Sequence, residues 1–125
     1  METLNPTRNQ TLKALIEDLD RMVLAGDILG VVDQYFADDV VTQEGNAAPV
    51  RGKAANRARL EAFLSSLRAF NGATLHSYGV GEDVTLSEYT FDLVAEDGSP
   101  LIWNEVIRRR WVNGQVVDER YYTAS

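Results

Sequence analysis

The most informative stretch of this sequence is LIWNEVIRRRWVNGQVVDERYY, which runs from Leu101 to Tyr122. It contains two strand-like runs joined by Asn113-Gly114, a dipeptide that strongly indicates a two-residue hairpin turn. Because side chains alternate between the two faces of a strand, one face of the first run carries Trp103, Glu105, Ile107, Arg109 and Trp111. An acid and a base among large apolar groups are typical of a pocket that is mainly apolar with a few polar groups.

The second half of the chain is predicted to consist of strands and turns. Turn sequences at Gly81-Glu82-Asp83 and Asp97-Gly98-Ser99-Pro100 separate runs rich in β-branched and aromatic residues. Such short connections favour antiparallel neighbours. The predicted strands are Thr74–Val80, Val84–Ala95, Leu101–Val112 and Gln115–Thr123.

The first part of the chain is predicted to be helical. Asn5-Pro6 is a favourable helix start, and apolar residues then recur every three to four positions from 12 to 23. This first helix is expected to end at Ala25-Gly26. Asp27 is a suitable N-cap for a short second helix that carries apolar residues as far as Phe36.

The middle of the chain joins these helices to the predicted strands. A short strand at Val40–Thr42 delivers Glu44 to its end, and a loop from Gly45 to Gly52 follows. A third helix is predicted from Lys53 to Phe70, with Asn71-Gly72 as its breaker. Helices followed by an antiparallel meander predict an α+β fold in one domain, residues 1–125, with three helices covering one face of the sheet. A sheet that curves around the longest helix would form a cone with a pocket inside.

Composition excludes several classes of protein. The 125 residues are 45% hydrophobic and 25% charged, as in ordinary globular domains, and no apolar run is long enough to suggest a membrane span. The net charge of −7 and the lack of a basic patch argue against nucleic acid as a partner. The absence of cysteine and of an apolar leader fits a cytoplasmic protein.

Four ionisable residues are candidates for catalysis, and each has a structural alternative. Glu44 is either a base at a pocket mouth or a solvated loop acid, and His76 is either a general acid or base or a hydrogen-bonded strand histidine. Glu105 and Arg109 lie ~13 Å apart along one strand face, so each needs a partner on a neighbouring strand. For Arg109 that partner is Glu119 or Asp118, either as part of a catalytic group or as a cross-strand ion pair.

Four strand aromatics are candidates for ligand binding, with ordinary core or dimer-interface packing as the alternative. They are Tyr89, Trp103, Trp111 and Tyr121. A metal site is not expected, because a single histidine and no cysteine leave only carboxylates as further ligands.

The segments AGDILGVVDQYFADDVVTQEG and RGKAANRARLEAFL, with the four-strand meander, resemble the nuclear transport factor 2-like superfamily, and within it the SnoaL-like domains. The resemblance covers about Leu12 to Tyr122. It implies a cystatin-like cone, a curved sheet wrapped by three helices around a deep pocket, and a homodimer formed through the sheet. The superfamily includes both enzymes and non-enzymatic proteins, so the resemblance implies no single activity.

Comparison with the enzymes of the superfamily is informative at single positions. Glu44 matches the carboxylate base of ketosteroid isomerase, but Leu19 stands near the position of its tyrosine donor, which argues against that isomerase chemistry. Thr123 occupies the position where polyketide cyclases carry an acid. The Asp–Arg–Asp arrangement of epoxide hydrolases could be imitated by Arg109 with Glu105 and Glu119.

Three functions are therefore open. The first is a cofactor-free lyase, isomerase or hydrolase that uses acid–base residues in the pocket. The second is a binding protein that holds a small hydrophobic molecule without converting it. The third is a dimeric scaffold whose sheet surface makes the functional contacts.

Overall fold

The structure is a computed structural model that describes residues 8–124. Within this range three helices precede and interleave with six strands, and the predicted helix start at Asn5-Pro6 lies outside it. The elements are α1 (Arg8–Leu24), α2 (Ile28–Tyr35), β1 (Phe36–Glu44), β2 (Val50–Arg51), α3 (Lys53–Ser66), β3 (Ala69–Val80), β4 (Val84–Val94), β5 (Pro100–Val112) and β6 (Gln115–Thr123).

The six strands form one sheet in the order β2-β1-β6-β5-β4-β3. All neighbours are antiparallel except β1 and β6, which pair in parallel. The three helices pack on one face of this sheet, so the predicted α+β architecture is confirmed. Strand β6 therefore lies in the interior of the sheet and joins the N-terminal strands to the meander.

The predicted hairpin is confirmed, and its register contains one irregularity. Asn113 and Gly114 have φ values of 53° and 78°, the left-handed conformation that a two-residue turn with twisted strands requires. Val112 pairs with Gln115 and Trp111 with Val116, but the register shifts between Arg110 and Trp111. This bulge places Arg109 opposite Glu119, and so selects Glu119 over Asp118 as its partner.

Three predicted boundaries are wrong for tertiary reasons, including the start of β3, which lies at Ala69 rather than Thr74. The predicted loop from Gly45 to Gly52 also contains the short strand β2, which pairs with β1. The third helix ends at Ser66 rather than Phe70, because residues from Ala69 onward pair with β4, and Asn71-Gly72 lies inside β3 at a register shift. The first strand spans Phe36–Glu44 rather than Val40–Thr42, since Phe36 already pairs with Val116 of β6. The N-cap of α2 is as predicted, with Gly30 N donating to Asp27 Oδ1 at 3.1 Å.

The core lies between the helices and the inner face of the sheet. The apolar face of α1 is almost completely buried, and each such aliphatic side chain stabilises the fold by ~1.5–3 kcal/mol. Alternate residues of β4 and β5 meet this face, as their in-and-out burial pattern shows. No helix among residues 8–124 has the length and hydropathy of a membrane-spanning segment.

Candidate functional site

A cavity of about 300 Å³ lies between the helices and the inner face of the sheet. Its lining is mainly apolar, with five ionisable side chains and one phenol. The apolar lining residues are Val23, Ile28, Val31, Val32, Phe36, Leu60, Phe63, Phe70, Phe91, Leu93, Trp103 and Ile107, and the polar ones are Glu44, Arg59, Glu105, Arg109, Glu119 and Tyr121. Such a lining suits a small, mostly apolar molecule that a few polar groups orient.

Glu105 projects from β5 into this cavity, as strand alternation predicted. Its carboxyl group is half-buried and makes no hydrogen bond with any residue from 8 to 124. Burial raises the pKa of Glu105 to about 7, and the negative charges of Glu119 and Glu44 act in the same direction. The positive charges of Arg109 and Arg59 oppose this rise without cancelling it. Both protonation states of Glu105 are therefore populated at neutral pH.

Arg109 and Glu119 form a buried ion pair across the β5–β6 hairpin. Arg109 Nε donates to Glu119 Oε2 at 2.7 Å, and the two side chains are 2% and 5% exposed. Tyr121 OH donates to the other carboxylate oxygen, Oε1. Because both oxygens of Glu119 are engaged, this residue acts as the fixed counter-ion of Arg109. The sequence predicted that Glu105 and Glu119 could both surround Arg109. Of these two acids, Glu119 forms an ion pair with the guanidinium and Glu105 does not.

A second acid holds Arg109 from the side away from the cavity. Asp20 of α1 is 2% exposed and lies 3.9 Å from Arg109 Nη1. Its carboxylate accepts hydrogen bonds from Ser87 Oγ and Tyr89 OH, and Arg109 Nη1 donates to Tyr89 OH at 3.2 Å. Burial raises the pKa of Asp20, although Tyr89, Arg109 and Ser87 oppose the rise. Arg109 is therefore clamped between helix α1 and strand β6.

Arg59 of α3 contributes a second cation to the cavity. Its Nη2 donates to Tyr121 OH at 3.2 Å and to Asn56 Oδ1 at 3.4 Å, and the guanidinium carbon lies 5.7 Å from the centre of the Tyr121 ring. Burial raises the pKa of Tyr121 well above its ordinary value, and the Glu119 charge adds to this effect. Tyr121 is consequently a neutral hydrogen-bonding bridge between Arg59 and Glu119.

Glu44 lies at the mouth of the cavity at the end of β1, where its side chain is exposed. Its charge still contributes to the raised pKa of Glu105. Its position fits both alternatives, a base at the pocket mouth and a solvated acid at the end of a strand, so the catalytic role of Glu44 stays a prediction.

His76 is not part of the cavity. It lies on the opposite, outer face of the sheet, where Nε2 is 2.7 Å from Thr90 Oγ1. Thr90 Oγ1 also donates to Asn104 Oδ1 at 2.6 Å, so the three side chains form one hydrogen-bonded row on the outer face. The register shift between Leu75 and Ser77 places His76 on this outer face. His76 lines a separate depression that Glu105 also borders, outside the cavity between the helices and the sheet. The catalytic role predicted for His76 in that cavity is therefore corrected, and its alternative, a hydrogen-bonded strand histidine, agrees with the structure.

The four candidate aromatics separate into two groups. Trp103 and Tyr121 line the cavity, and Trp103 packs edge-to-face on Phe63 at 5.4 Å. Tyr89 and Trp111 belong to the core instead, where Tyr89 bonds to Asp20 and Trp111 Nε1 donates to Thr85 Oγ1 at 3.0 Å. The pocket role predicted for these last two residues is corrected, because their polar atoms are satisfied within the core.

Sequence reasoning missed Arg59 and Asp20, although both positions carry a signal. Asp20 lies four residues after Ile16 and three before Val23, so it is an acid on the apolar stripe of α1. Arg59 lies four residues before Phe63, on the inward side of α3. Within residues 8–124, no group of three or more histidines or carboxylates is arranged to hold a metal ion.

Comparison with known proteins adds information about the fold. No family model and no curated protein sequence matches the chain. Among solved structures, a candidate SnoaL-like polyketide cyclase from Mesorhizobium loti is 24% identical with a TM-score of 0.79, covering 89% of this chain and 97% of that one. An NTF2-like protein of unknown function from Burkholderia xenovorans is 17% identical with a TM-score of 0.74, covering 94% and 86%.

An LEH-like epoxide hydrolase from M. tuberculosis is also similar, with 17% identity, a TM-score of 0.77, and coverage of 96% of this chain and 83% of that one. Identities at this level establish the fold and carry no residue roles across. The three helices and the six-stranded sheet agree with these structures. The chain therefore has the fold of the SnoaL-like and NTF2-like proteins.

Proposed function

We propose that the cavity binds a small, largely hydrophobic molecule and that Glu105 exchanges a proton with it, without a cofactor. The observation that supports this proposal is the contrast between two carboxyl groups. Glu119 has both oxygens engaged by Arg109 and Tyr121, whereas Glu105 faces the same cavity with no hydrogen-bond partner among residues 8–124. A free, half-buried carboxyl group is the arrangement expected of a general acid or base.

The pKa of Glu105, raised to about 7, suits this role. A general acid or base is most effective when its pKa is close to the working pH, since both forms are then available. Arg109 and Glu119 would set the electrostatic environment rather than transfer protons. Glu44, at the exposed mouth, would keep the pKa of Glu105 high.

The reaction classes compatible with this site are lyase, isomerase and hydrolase chemistry, because each requires proton transfer and none requires electron transfer. Because an LEH-like epoxide hydrolase has a similar fold, epoxides are the substrates to test first. Small neutral epoxides, β-hydroxyketones and β,γ-unsaturated ketones represent the three classes.

The direct test is a carboxyl NMR titration of the protein, with Glu105→Gln used to assign the signal, combined with a screen of these substrates. We expect Glu105 to titrate near pH 7 and Glu105→Gln to lower kcat by at least about 100-fold with little change in KM. Glu88→Gln is the matched control, since Glu88 lies exposed on the outer face of β4 and its side-chain hydrogen bond within residues 8–124 is to Ser77. Titration near the ordinary glutamate value of about 4.3 would contradict the proposal.

A second candidate function is binding without turnover. It is favoured by the hydrogen bonds that four side chains make with one another, since these bonds leave few polar atoms free for a reaction. The four are Arg109, Glu119, Tyr89 and Tyr121. Ligand binding that persists unchanged in Glu105→Gln, with no conversion of any of the three substrate types, would support this alternative.

A further inference from the structure

We infer that the ligand of this cavity is an uncharged, mainly apolar molecule with one acceptor oxygen, and that Arg59 is the residue that anchors this oxygen. The inference rests on the proposed function in one respect, namely that the cavity between helices and sheet is the binding site. It adds a chemical class of ligand and a residue that the sequence analysis missed.

The first step of the argument is that the Arg59 guanidinium is held in a fixed orientation. Its Nη2 donates to Asn56 Oδ1 and Tyr121 OH. Asn56 is itself fully buried and anchored, since its Nδ2 donates to the carbonyl oxygens of Gly52 at 2.9 Å and Val50 at 3.2 Å. Its Oδ1 also accepts a hydrogen bond from Thr42 Oγ1. A guanidinium positioned by such a network presents its remaining N–H groups in defined directions.

The second step is that Arg59 has donors to spare. A guanidinium carries five N–H donors, and the hydrogen bonds of Arg59 within residues 8–124 use only Nη2. Its Nε is buried and has no hydrogen-bond partner in this part of the chain. Because Nε is closed off from solvent, the donors left for a ligand are those of Nη1, which also makes no hydrogen bond within residues 8–124. An acceptor oxygen that reaches Nη1 would gain a hydrogen bond from a charged donor.

The third step concerns charge. With Glu105 protonated, the ionised groups around the cavity are Arg59 and Arg109 against Glu44 and Glu119, which balance. When Glu105 ionises, the cavity carries a net negative charge. Since Arg109 and Glu119 are paired with each other, the unpaired charges are then two glutamates, Glu44 and Glu105, against one arginine, Arg59. A carboxylate ligand would meet this excess of negative charge, whereas a carbonyl or ether oxygen can accept from Arg59 without the repulsion.

The fourth step concerns the surface next to Arg59. Leu60 and Phe63 follow it on α3, and Trp103 faces Phe63 from β5. These groups offer apolar and aromatic faces to the carbon frame of a ligand whose oxygen is held by Arg59.

The experiment compares three probes that share one ring system, namely naphthalene, 2-acetylnaphthalene and 2-naphthoate. Their dissociation constants are measured by NMR titration of the full chain at about pH 8, where Glu105 is largely ionised and the cavity carries a net negative charge. We expect the ketone to bind about 10-fold more tightly than naphthalene, and the carboxylate to bind no better than naphthalene.

Substitutions then assign the preference to Arg59. Arg59→Met is expected to bring ketone and naphthalene within about twofold of each other while naphthalene binding is retained. Arg57→Met is the matched control, because Arg57 lies on the same helix, pairs with Asp33 at 2.8 Å and does not line the cavity. Should Arg59→Met fail to fold, Arg59→Leu serves instead, and it should also lose most of the preference because it removes every N–H donor at this position.

The outcomes separate this inference from the proposed function. An unchanged ketone preference in Arg59→Met, or tighter binding of 2-naphthoate than of the ketone, overturns the inference while the cavity remains a binding site. Failure of all three probes to bind overturns the inference together with the proposed function.

Discussion

Arg109 and Glu119 face each other across the β5–β6 hairpin with Nε 2.7 Å from Oε2, and both are almost completely withdrawn from water. Removing one partner of such a pair leaves an uncompensated buried charge, which typically destabilises a protein by about 3–5 kcal/mol. We therefore expect Arg109→Met to lower the free energy of unfolding by this amount in urea denaturation.

The neighbouring residue provides the control for this prediction. Arg108 points to the outer face and lies 3.5 Å from Asp118, with both side chains more than a third exposed. Arg108→Met should change stability by less than about 1 kcal/mol. Equal effects of the two substitutions would mean that Arg109 and Glu119 are solvated in solution.

The raised pKa of Glu105 predicts a particular dependence of stability on pH. Glu105 binds its proton more tightly when folded, so the folded state loses stability as the pH rises from about 4.5 to about 7. Glu105→Gln removes this loss. The variant should be more stable than the wild-type protein by up to about 3 kcal/mol at about pH 8, and the difference should vanish at about pH 4.

Thermal unfolding of both proteins across this pH range measures the difference. Glu88→Gln again serves as the comparison, since Glu88 is exposed on the outer face. A stability difference between wild type and Glu105→Gln that stays constant with pH would argue against a perturbed carboxyl group.

The two tryptophans should respond differently to a ligand. Trp103 lines the cavity, whereas Trp111 donates its indole N–H to Thr85 in the core and packs edge-to-face on Tyr35 at 5.7 Å. On addition of 2-acetylnaphthalene, we expect the indole signal of Trp103 to shift in a ¹H–¹⁵N spectrum and that of Trp111 to stay in place.

Assignment of these two signals requires Trp103→Phe and Trp111→Phe. The Trp111 N–H should also exchange with solvent far more slowly, because its hydrogen bond is buried. A shift of the Trp111 signal alone would place the ligand outside the cavity described above.

The outer face of the sheet is expected to join two copies of the chain. Large apolar side chains are exposed there between charges of both signs. The same face of a second copy could therefore pack its apolar groups against them and pair its charges with opposite ones. The apolar residues are Leu86, Ile102, Val112 and Tyr122, with Arg108, Arg110 and Asp118 among them. Ile102 is the most exposed of these apolar residues at 56%.

Ile102→Lys should therefore convert a dimer to a monomer in light scattering coupled to size exclusion. Leu24→Lys is a matched control, because Leu24 is 39% exposed but lies at the end of α1. A wild-type protein that is monomeric at high micromolar concentration would contradict this expectation.

The sequence predicted those parts of the fold whose signals are local. The turn at Asn113-Gly114 and the presence of Glu105 and Arg109 on one face of β5 were predicted correctly, whereas which face lines the cavity was left open. The end of α3 and the start of β1 were not predictable in this way, because pairing with β4 and β6 decides them. Tertiary pairing overrode helical propensity at both boundaries.

The candidate site was only partly predictable for a related reason. Strand alternation predicts which residues share a face, but a bulge exchanges the two faces for the residues that follow it. The bulge between Leu75 and Ser77 therefore made the face of His76 unpredictable from alternation. The sequence also could not distinguish Glu119 from Asp118, since the answer depends on a single extra residue, Val117, in the hairpin. Arg59 and Asp20 come from helices distant in sequence, and only packing brings them to Tyr121 and Tyr89.

The interior position of β6 has a consequence for how the protein is made. β1 and its partner β2 are joined to the rest of the sheet only through β6, the last strand of the described chain. During synthesis on the ribosome, β1 to β5 emerge before the strand that connects them, and Glu119 and Tyr121 arrive with it. The cavity and its polar network are therefore expected to form in one late step, and a nascent chain stalled before β6 should have neither.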